Sequence, residues 1–323
     1  MMSWAMAGRR ARTWWAIGVL ASLAGTTALG QEPPVFKSGV ELVTLRAVVR
    51  DGRGRPVTDL DQHQFELLDR GVPRQIGTFD RDDGPVGLAL LFDVSGSMDV
   101  ASKAERAREA AFFLLGNLRS GRDEAAIYAF DSTLHLVQPF TSDLESIRGR
   151  LSSVAPWGVT SLHDAIAAAA QSAADAPTSQ GTRRRALVVL TDGVDNASKL
   201  APAEVSRIAS AIDVPVYVLA IVQEVDLQDG QGHRDPRPDA DRQGNLADLA
   251  RWTGGQLFST LATAQSVTAA KRIVDELRHQ YLIAFVPGTA PGWHPVEVRV
   301  RNKDYVVQTR SGYVAGSTRP TGS

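Results

Sequence analysis

Carboxylate and hydroxyl side chains follow an apolar run in the stretch LALLFDVSGSMDV, residues 88–100. The run ends at Asp93, and Ser95 and Ser97 come directly after it. Residues of these types could supply a nucleophile, a phosphoryl acceptor, ligands for a metal ion or only the cap of a following helix. The stretch by itself leaves all four alternatives open, so the other polar loops of the chain have to decide between them.

Two further loops carry oxygen-bearing side chains beside predicted elements. Thr160 lies in WGVTSLHD at a helix start, and Asp192 lies in LVVLTDGVDN just past a strand end. With the first loop they supply two carboxylates and three hydroxyls: Asp93, Ser95, Ser97, Thr160 and Asp192. These hard oxygen donors suit Mg²⁺, Mn²⁺ or Ca²⁺. Because hydroxyls are neutral, such an ion would keep much of its charge and could accept a carboxylate from a partner.

The elements around these loops alternate between strands and helices from Pro85 onward. Continuous apolar strands are predicted at VGLALLFD, RRALVVLTDG and VPVYVLAIV. Helices are predicted at SKAERAREAAFFLLGNLR, TSLHDAIAAAAQSAADA, PAEVSRIASAI, NLADLARWTGG and TAAKRIVDELRHQ. Strands separated by helices indicate the α/β class with a doubly wound, mostly parallel sheet. Ligands of such sheets bind outside the carboxyl ends of the strands, and the three loops leave strand or turn positions.

The segments before and after this α/β region are predicted to be all-β. GVELVTLRAVVRD is a predicted strand, and FELLDRGVPRQIGTF contains two short strands around Arg70 and Gly71. On the other side, strands are predicted at YLIAFVP, PVEVRVR and YVVQTRSGYV. Each flank is too short for a stable sheet of its own. We therefore expect the two flanks to pair into one small all-β domain, with the α/β domain inserted between them.

The N-terminus has the layout of a secretory signal peptide, with a basic start, an apolar stretch and the small residues ALG before Gln31. The predicted division is a signal peptide at 1–30, β segments at 31–84 and 281–316, an α/β domain at 85–280 and a disordered tail at 317–323. If the signal peptide is cleaved, we expect an exported bacterial protein, periplasmic or secreted, with no membrane span. The alternative is that the segment is kept as an anchor helix.

The composition excludes several classes of function. The 323 residues carry a formal net charge of −1, which gives no reason to expect nucleic acid as a partner. The chain has no cysteine, which excludes a thiol nucleophile, a cysteine-ligated zinc site and a lipid-modified cysteine. The six histidines include no pair at metal-binding spacing. His163, near Thr160, could line the rim of the site or could be a solvated or capping residue.

Enzyme signatures that could use such a loop do not match. A haloacid-dehalogenase-type phosphatase needs a second Asp where this chain has Ser95, and a serine hydrolase elbow needs G-x-S-x-G around it. DGRG at 51–54 lacks the phosphate-loop pattern. Residues 224–244 are polar and acidic and are interpreted as an exposed, flexible insertion. DADRQG within them begins like a calcium loop but lacks its later ligands. Trp157 could contact a partner or pack on its own loop.

DVSGS after an apolar strand, with Thr160 and Asp192 downstream, resembles a von Willebrand factor type A domain with its metal ion-dependent adhesion site. The family pattern is DxSxS plus a distant Thr and Asp, and all five positions match. The resemblance implies that Ser95, Ser97 and Thr160 bind the ion directly. It implies that Asp93 and Asp192 bind the ion directly or through water.

The resemblance covers about residues 85–280, and the flanks resemble bacterial VWFA-related proteins described from Acidobacteria, a likeness that implies no defined activity. The type A domain implies an exported, non-enzymatic binding or adhesion protein. Its divalent cation, expected to be Mg²⁺ with Mn²⁺ or Ca²⁺ as alternatives, would bridge to an Asp or Glu of a protein partner. An envelope scaffold with a structural metal and a metal-assisted hydrolase, with His163 as its base, are the alternatives.

Overall fold

A computed structural model describes residues 42–82, 84–151, 160–177, 184–223 and 238–316, with the backbone alone at 82, 101 and 238–244. The predicted signal peptide, Trp157 and the predicted tail lie outside these residues. Among the helices that the structure describes, none is long and apolar enough to cross a membrane.

Fourteen strands and six α-helices fall within the described residues. The strands, in chain order, are β1 (Val43–Arg50), β2 (Phe65–Asp69), β3 (Val72–Arg74), β4 (Ile76–Asp82), β5 (Val86–Asp93), β6 (Glu124–Phe130), β7 (Leu134–Thr141), β8 (Arg184–Thr191), β9 (Val216–Ile221), β10 (Leu257–Thr260), β11 (Gln280–Phe285), β12 (Gly292–Val300), β13 (Val306–Gln308) and β14 (Gly312–Ala315). The helices are α1 (Lys103–Gly116), α2 (Leu144–Leu151), α3 (Leu162–Asp175), α4 (Pro202–Ala211), α5 (Pro238–Thr253) and α6 (Thr263–Arg278). A 3₁₀ helix, Gly96–Ser102, precedes α1.

The α/β region forms one six-stranded sheet in the order β10-β9-β8-β5-β6-β7. Neighbouring strands are parallel except for β6 and β7. After β5 the chain adds β6 and β7 on one side, and then crosses to add β8, β9 and β10 on the other. The strand order therefore switches at β5, and the loops that follow β5, β6 and β8 leave from the same edge of the sheet.

Helices cover both faces of this sheet. Leu88 and Leu90 of β5 lie in a core with α1, α2 and α6, whereas Ala89 and Leu91 lie in a second core with α3, α4 and α5. All eight residues of β5 are buried. Because side chains alternate across a strand, burial on both faces requires the uninterrupted apolar sequence that β5 has.

The flanking segments form two four-stranded antiparallel sheets, in the orders β13-β1-β11-β4 and β14-β12-β2-β3. Each sheet takes two strands from before the α/β region and two from after it. Leu45 and Phe285 of the first sheet share a hydrophobic core with Phe65 and Val298 of the second. The predicted fold class, an α/β sheet inserted into an all-β part built from both flanks, is confirmed. The predicted domain boundaries stay a prediction.

Several elements differ from the sequence predictions, among them YVVQTRSGYV, which forms the two strands β13 and β14. β7 has no predicted counterpart, because LHLVQPFT lies half-exposed at the sheet edge and carries polar residues and a proline. Two strands, β3 and β4, replace the predicted second strand of FELLDRGVPRQIGTF. The helix predicted from Asn245 begins at Pro238, so the loop predicted at 224–244 is wrong for its last seven residues. Proline is favoured at a first helical position, since its missing amide has no partner there.

Gly255, after the end of α5, provides a test of how closely that segment lies against β9. A Cβ at Gly255 would overlap the carbonyl of Val216, so we expect Gly255→Ala to lower the free energy of unfolding by more than about 2 kcal/mol. The control is Gly149→Ala in α2, where no described atom outside the helix's own backbone lies within 4 Å of an added Cβ. It should raise the free energy of unfolding by about 1 kcal/mol. Equal urea midpoints for the two variants would contradict this packing.

Candidate metal centre

Hydrogen bonds to Asp93 hold the loop that follows β5. Asp93 lies at the C-terminal end of β5 and is 3% exposed. Its Oδ1 accepts the Ser95 amide at 2.9 Å, and its Oδ2 accepts the Thr191 hydroxyl at 2.5 Å. Both carboxylate oxygens are therefore engaged within the protein. The second bond also joins this loop to the end of β8.

The hydroxyls of Ser95 and Ser97 lie together. Their Oγ atoms are 3.0 Å apart; Ser95 is buried and Ser97 half-buried. Ser95 occupies the position before the 3₁₀ helix, but its side chain makes no cap hydrogen bond with any described residue. The plain-cap alternative is therefore wrong for Ser95. Two ligands on adjacent corners of an octahedron around Mg²⁺, with bonds of about 2.1 Å, are separated by about 3.0 Å.

Thr160 lies on the loop that leads into α3 and is buried. Its carbonyl accepts the Asn196 and Ala197 amides at 3.1 Å each, and its own amide donates to Asn196 Oδ1 at 3.1 Å. The next residue, Ser161, donates its amide to the carbonyl of Asp131, just after β6, at 2.9 Å. Backbone contacts thus bind Thr160 to the loops after β8 and β6, and leave its hydroxyl without a hydrogen bond to any residue that the structure describes.

Asp192 begins the loop after β8 and is 8% exposed. Its Oδ1 accepts the Val194 amide at 3.3 Å, and its Oδ2 accepts the Lys103 ammonium at 3.1 Å. Lys103, the first residue of α1, is 4% exposed. Lys103 is not among the residues predicted from the sequence, because a lysine in SKAERAREA is typical of a solvated helix face and no local signal marks it as buried.

A second cluster adjoins Asp192. His163 Nδ1 pairs with the Asp195 carboxylate, and Ser198 Oγ accepts the His163 amide at 2.9 Å. Burial alone would raise the pKa of Asp195, but hydrogen bonds from His163 and Ser198 hold it well below its usual value. His163 and Asp195, with Gly193 and Leu246, line a cleft of about 390 Å³. His163 is therefore a largely buried, paired residue at a cleft rather than a solvated one.

The donor set fits a hard divalent cation. Burial raises the pKa of Asp93 to about 6, and the charge of Asp192 raises it too, although hydrogen bonds from Ser95 and Thr191 lower it. A cation would relieve this cost of keeping two carboxylates ionised in a buried place. Because protein donors already engage both carboxylates, the hydroxyls of Ser95, Ser97 and Thr160 are the groups best placed for direct contact with an ion.

No cluster of three or more His, Asp or Glu side chains among the described residues could hold a metal ion. An ion at this edge would therefore depend on the hydroxyls. The structure brings Asp93, Ser95, Ser97 and Asp192 together and places Thr160 on the adjoining loop. Their role as metal ligands stays a prediction.

Comparison with known families agrees with this fold. The family model of the von Willebrand factor type A domain matches residues 88–194, a range that includes all five predicted ligand positions. Residues 88–194 therefore match a von Willebrand factor type A domain. No curated protein sequence is significantly similar to the chain.

Solved structures resemble the chain at low identity. An aerotolerance-related membrane protein from Bacteroides fragilis is 23% identical, with a TM-score of 0.45, and the match covers 59% of this chain and 98% of that one. A von Willebrand factor type A protein from Catenulispora acidiphila is 13% identical, with a TM-score of 0.46 and coverage of 89% and 78%. Proximal thread matrix protein 1 from the mussel byssus, with a zinc-occupied MIDAS motif, is 15% identical, with a TM-score of 0.47 and coverage of 64% and 49%. These likenesses are too distant to assign a partner.

The raised pKa of Asp93 predicts a pH dependence of stability in the metal-free protein. The pKa is about 6 in the folded protein against an ordinary 3.8, so folding favours the protonated form. The resulting stabilisation is complete below pH 3.8 and is lost as the pH rises through 6. With EDTA present, the unfolding free energy of the wild type relative to Asp93→Asn should fall by about 3 kcal/mol across this window. If the free energies of unfolding of the two proteins, measured by urea denaturation, change with pH in parallel, the raised pKa of Asp93 is wrong.

Proposed function

We propose that this protein is an exported, non-enzymatic binding protein whose type A domain holds a divalent cation and uses it to bind an acidic partner. The observation that carries the proposal is the set of three hydroxyls beside two engaged carboxylates at the edge where the strand order switches. The proposed ligands are Asp93, Ser95, Ser97, Thr160 and Asp192. Mg²⁺ is the proposed ion, because it requires few protein ligands and retains waters.

The charge of the ligands supports an acidic partner. Direct contact through neutral hydroxyls leaves most of the ion's charge uncompensated, whereas carboxylates in direct contact would cancel it. Such an ion favours a further anionic oxygen at its open position. A carboxylate of Asp or Glu on a protein partner supplies that oxygen.

Export is part of the proposal and is supported by the basic, apolar and small-residue succession of residues 1–30. Expression of the full chain in a bacterium, followed by fractionation and N-terminal sequencing, tests it. A mature N-terminus at Gln31 in the exported fraction is the expected result. An intact N-terminus in the membrane fraction would instead support a retained anchor.

A metal-assisted hydrolase is the second candidate, favoured by the Asp195–His163 pair beside Asp192. A carboxylate on Nδ1 fixes the orientation of an imidazole, which suits a general base. Mg²⁺-dependent phosphatase and esterase assays decide this candidate. Turnover that His163→Ala abolishes would establish the hydrolase, whereas the binding protein should show none above background.

Removal of a proposed ligand should weaken both metal and partner binding. We expect Asp93→Ala and Thr160→Ala each to weaken Mg²⁺ binding at least about tenfold in calorimetric titration, since each loses an oxygen ligand or its anchor. Thr268→Ala in α6 and Asp248→Ala in α5, which change the same residue types outside the proposed ligand set, are the matched controls. A partner captured from the native envelope should be released by EDTA and should not be captured by either ligand variant.

Unchanged Mg²⁺ binding and unchanged capture by both ligand variants would refute the proposed function. If EDTA lowers the melting temperature but releases no partner, the metal is structural and the protein acts as a scaffold.

A further inference from the structure

A buried lysine lies inside the proposed metal centre. The Lys103 ammonium is 3.1 Å from Asp192 Oδ2, and the two side chains are 5% and 2% exposed. We propose that Lys103 is a resident counter-ion of the centre, which holds Asp192 when no divalent ion is bound, lowers the affinity for that ion and raises the affinity of the loaded site for an acidic ligand. This inference rests on the proposed function.

The backbone before Lys103 directs it towards the centre. Ser102 has φ 61° and ψ 24°, a left-handed conformation that a residue other than glycine rarely adopts. It joins the 3₁₀ helix to α1, and the Lys103 amide donates to the carbonyls of Met98 and Val100. Strained residues persist where their surroundings require them, and they cluster at functional sites.

Helix preference does not account for the position of Lys103. The first turn of a helix carries a partial positive charge, which disfavours a cation there. Burial of an ammonium group is also costly, and lysine is almost never fully buried unless it is paired. Lys103 incurs both costs, and its ion pair with Asp192 is one interaction that offsets them. The pair is therefore best explained by the charge that the centre requires.

The charge of Lys103 has opposite effects on two affinities: it lowers the affinity of the centre for a divalent ion and raises the affinity of the loaded centre for a carboxylate. Asp93 and Asp192 contribute two negative charges, and Lys103 reduces their sum to one. A divalent ion is therefore attracted less strongly than it would be without the ammonium. The ion has to share Asp192 with the ammonium or displace the ammonium from Asp192. Once bound, however, the ion brings the sum to one positive charge, which a single carboxylate of a partner neutralises. Without Lys103 the loaded centre would carry one positive charge fewer and would attract that carboxylate less.

Lys103→Met, which keeps much of the side-chain length but removes the charge, separates these effects. Mn²⁺ serves as the metal probe, and its binding is followed by electron paramagnetic resonance of the free ion. We expect Lys103→Met to bind Mn²⁺ about tenfold more tightly than the wild type. Lys103→Arg keeps the charge and should bind within about threefold of the wild type. Lys271→Met, on an exposed position of α6, is the control for loss of a positive charge elsewhere.

Acetate serves as the carboxylate probe. Binding to the Mn²⁺-loaded protein broadens the acetate resonance, and the concentration dependence of the broadening gives its affinity. At saturating Mn²⁺, Lys103→Met should bind acetate several-fold more weakly than the wild type and Lys271→Met. In EDTA, Lys103→Met should also melt at a lower temperature than Lys103→Arg, because it leaves Asp192 without its cation.

The outcomes separate this inference from the function on which it rests. Tighter Mn²⁺ binding together with weaker acetate binding in Lys103→Met supports the inference. If the wild type and Lys103→Met bind Mn²⁺ equally, or the variant binds it more weakly, the counter-ion role is wrong while the metal centre stands. If neither protein binds Mn²⁺, the proposed function and this inference fail together.

Discussion

The hydrogen bond from the Thr191 hydroxyl to Asp93 joins β5 and β8 at the point where the strand order switches, and the centre depends on it. Thr191 Oγ1 also accepts the Gly193 amide at 3.0 Å, and Gly193 turns the chain with φ +83°. One hydroxyl therefore fixes Asp93 on one strand and the direction of the loop after Asp192 on the next. Both strands are buried in the middle of the sheet and paired along their length, so this bond ties together two ends that the sheet already holds side by side.

The loop after Asp192 and the start of α3 satisfy each other's backbone groups. Asp164 accepts the amides of Lys199 and Leu200, while Ser198 Oγ accepts the amides of His163 and Asp164. These amides would otherwise be unpaired at a helix start and in a turn. The exchange positions Thr160 through its neighbours and leaves its hydroxyl available. Most polar groups of these loops are thus hydrogen-bonded to one another, and the Thr160 hydroxyl is left available.

The sequence predicts the parts of the site that depend on local pattern. β5, β8 and the oxygen-bearing positions at their ends follow from apolar runs that end in polar loops, and a parallel sheet brings such ends to one edge. Thr160, by contrast, lies at a helix start and is recognised only through the family pattern. Lys103 could not be predicted, because its burial is decided by a residue 89 positions away. β7 could not be predicted either, since a half-exposed edge strand lacks the strict alternation of a strand with one buried face. The two misses therefore have different causes: the burial of Lys103 depends on a partner distant in sequence, whereas β7 pairs with the adjacent β6 but lies half-exposed at the sheet edge.

The last helix of the α/β region is bound to the flanking sheets at its C-terminal end. Glu276 of α6 forms a buried ion pair with Arg50 of β1 at 2.5 Å, and α6 leads within two residues into β11, which is paired with β1 and β4. Breaking a buried ion pair leaves an uncompensated charge, which strongly destabilises a fold. A shift of α6 along its axis would break this pair and displace β11 from two neighbours at once. The flanking sheets therefore restrain the C-terminal end of α6.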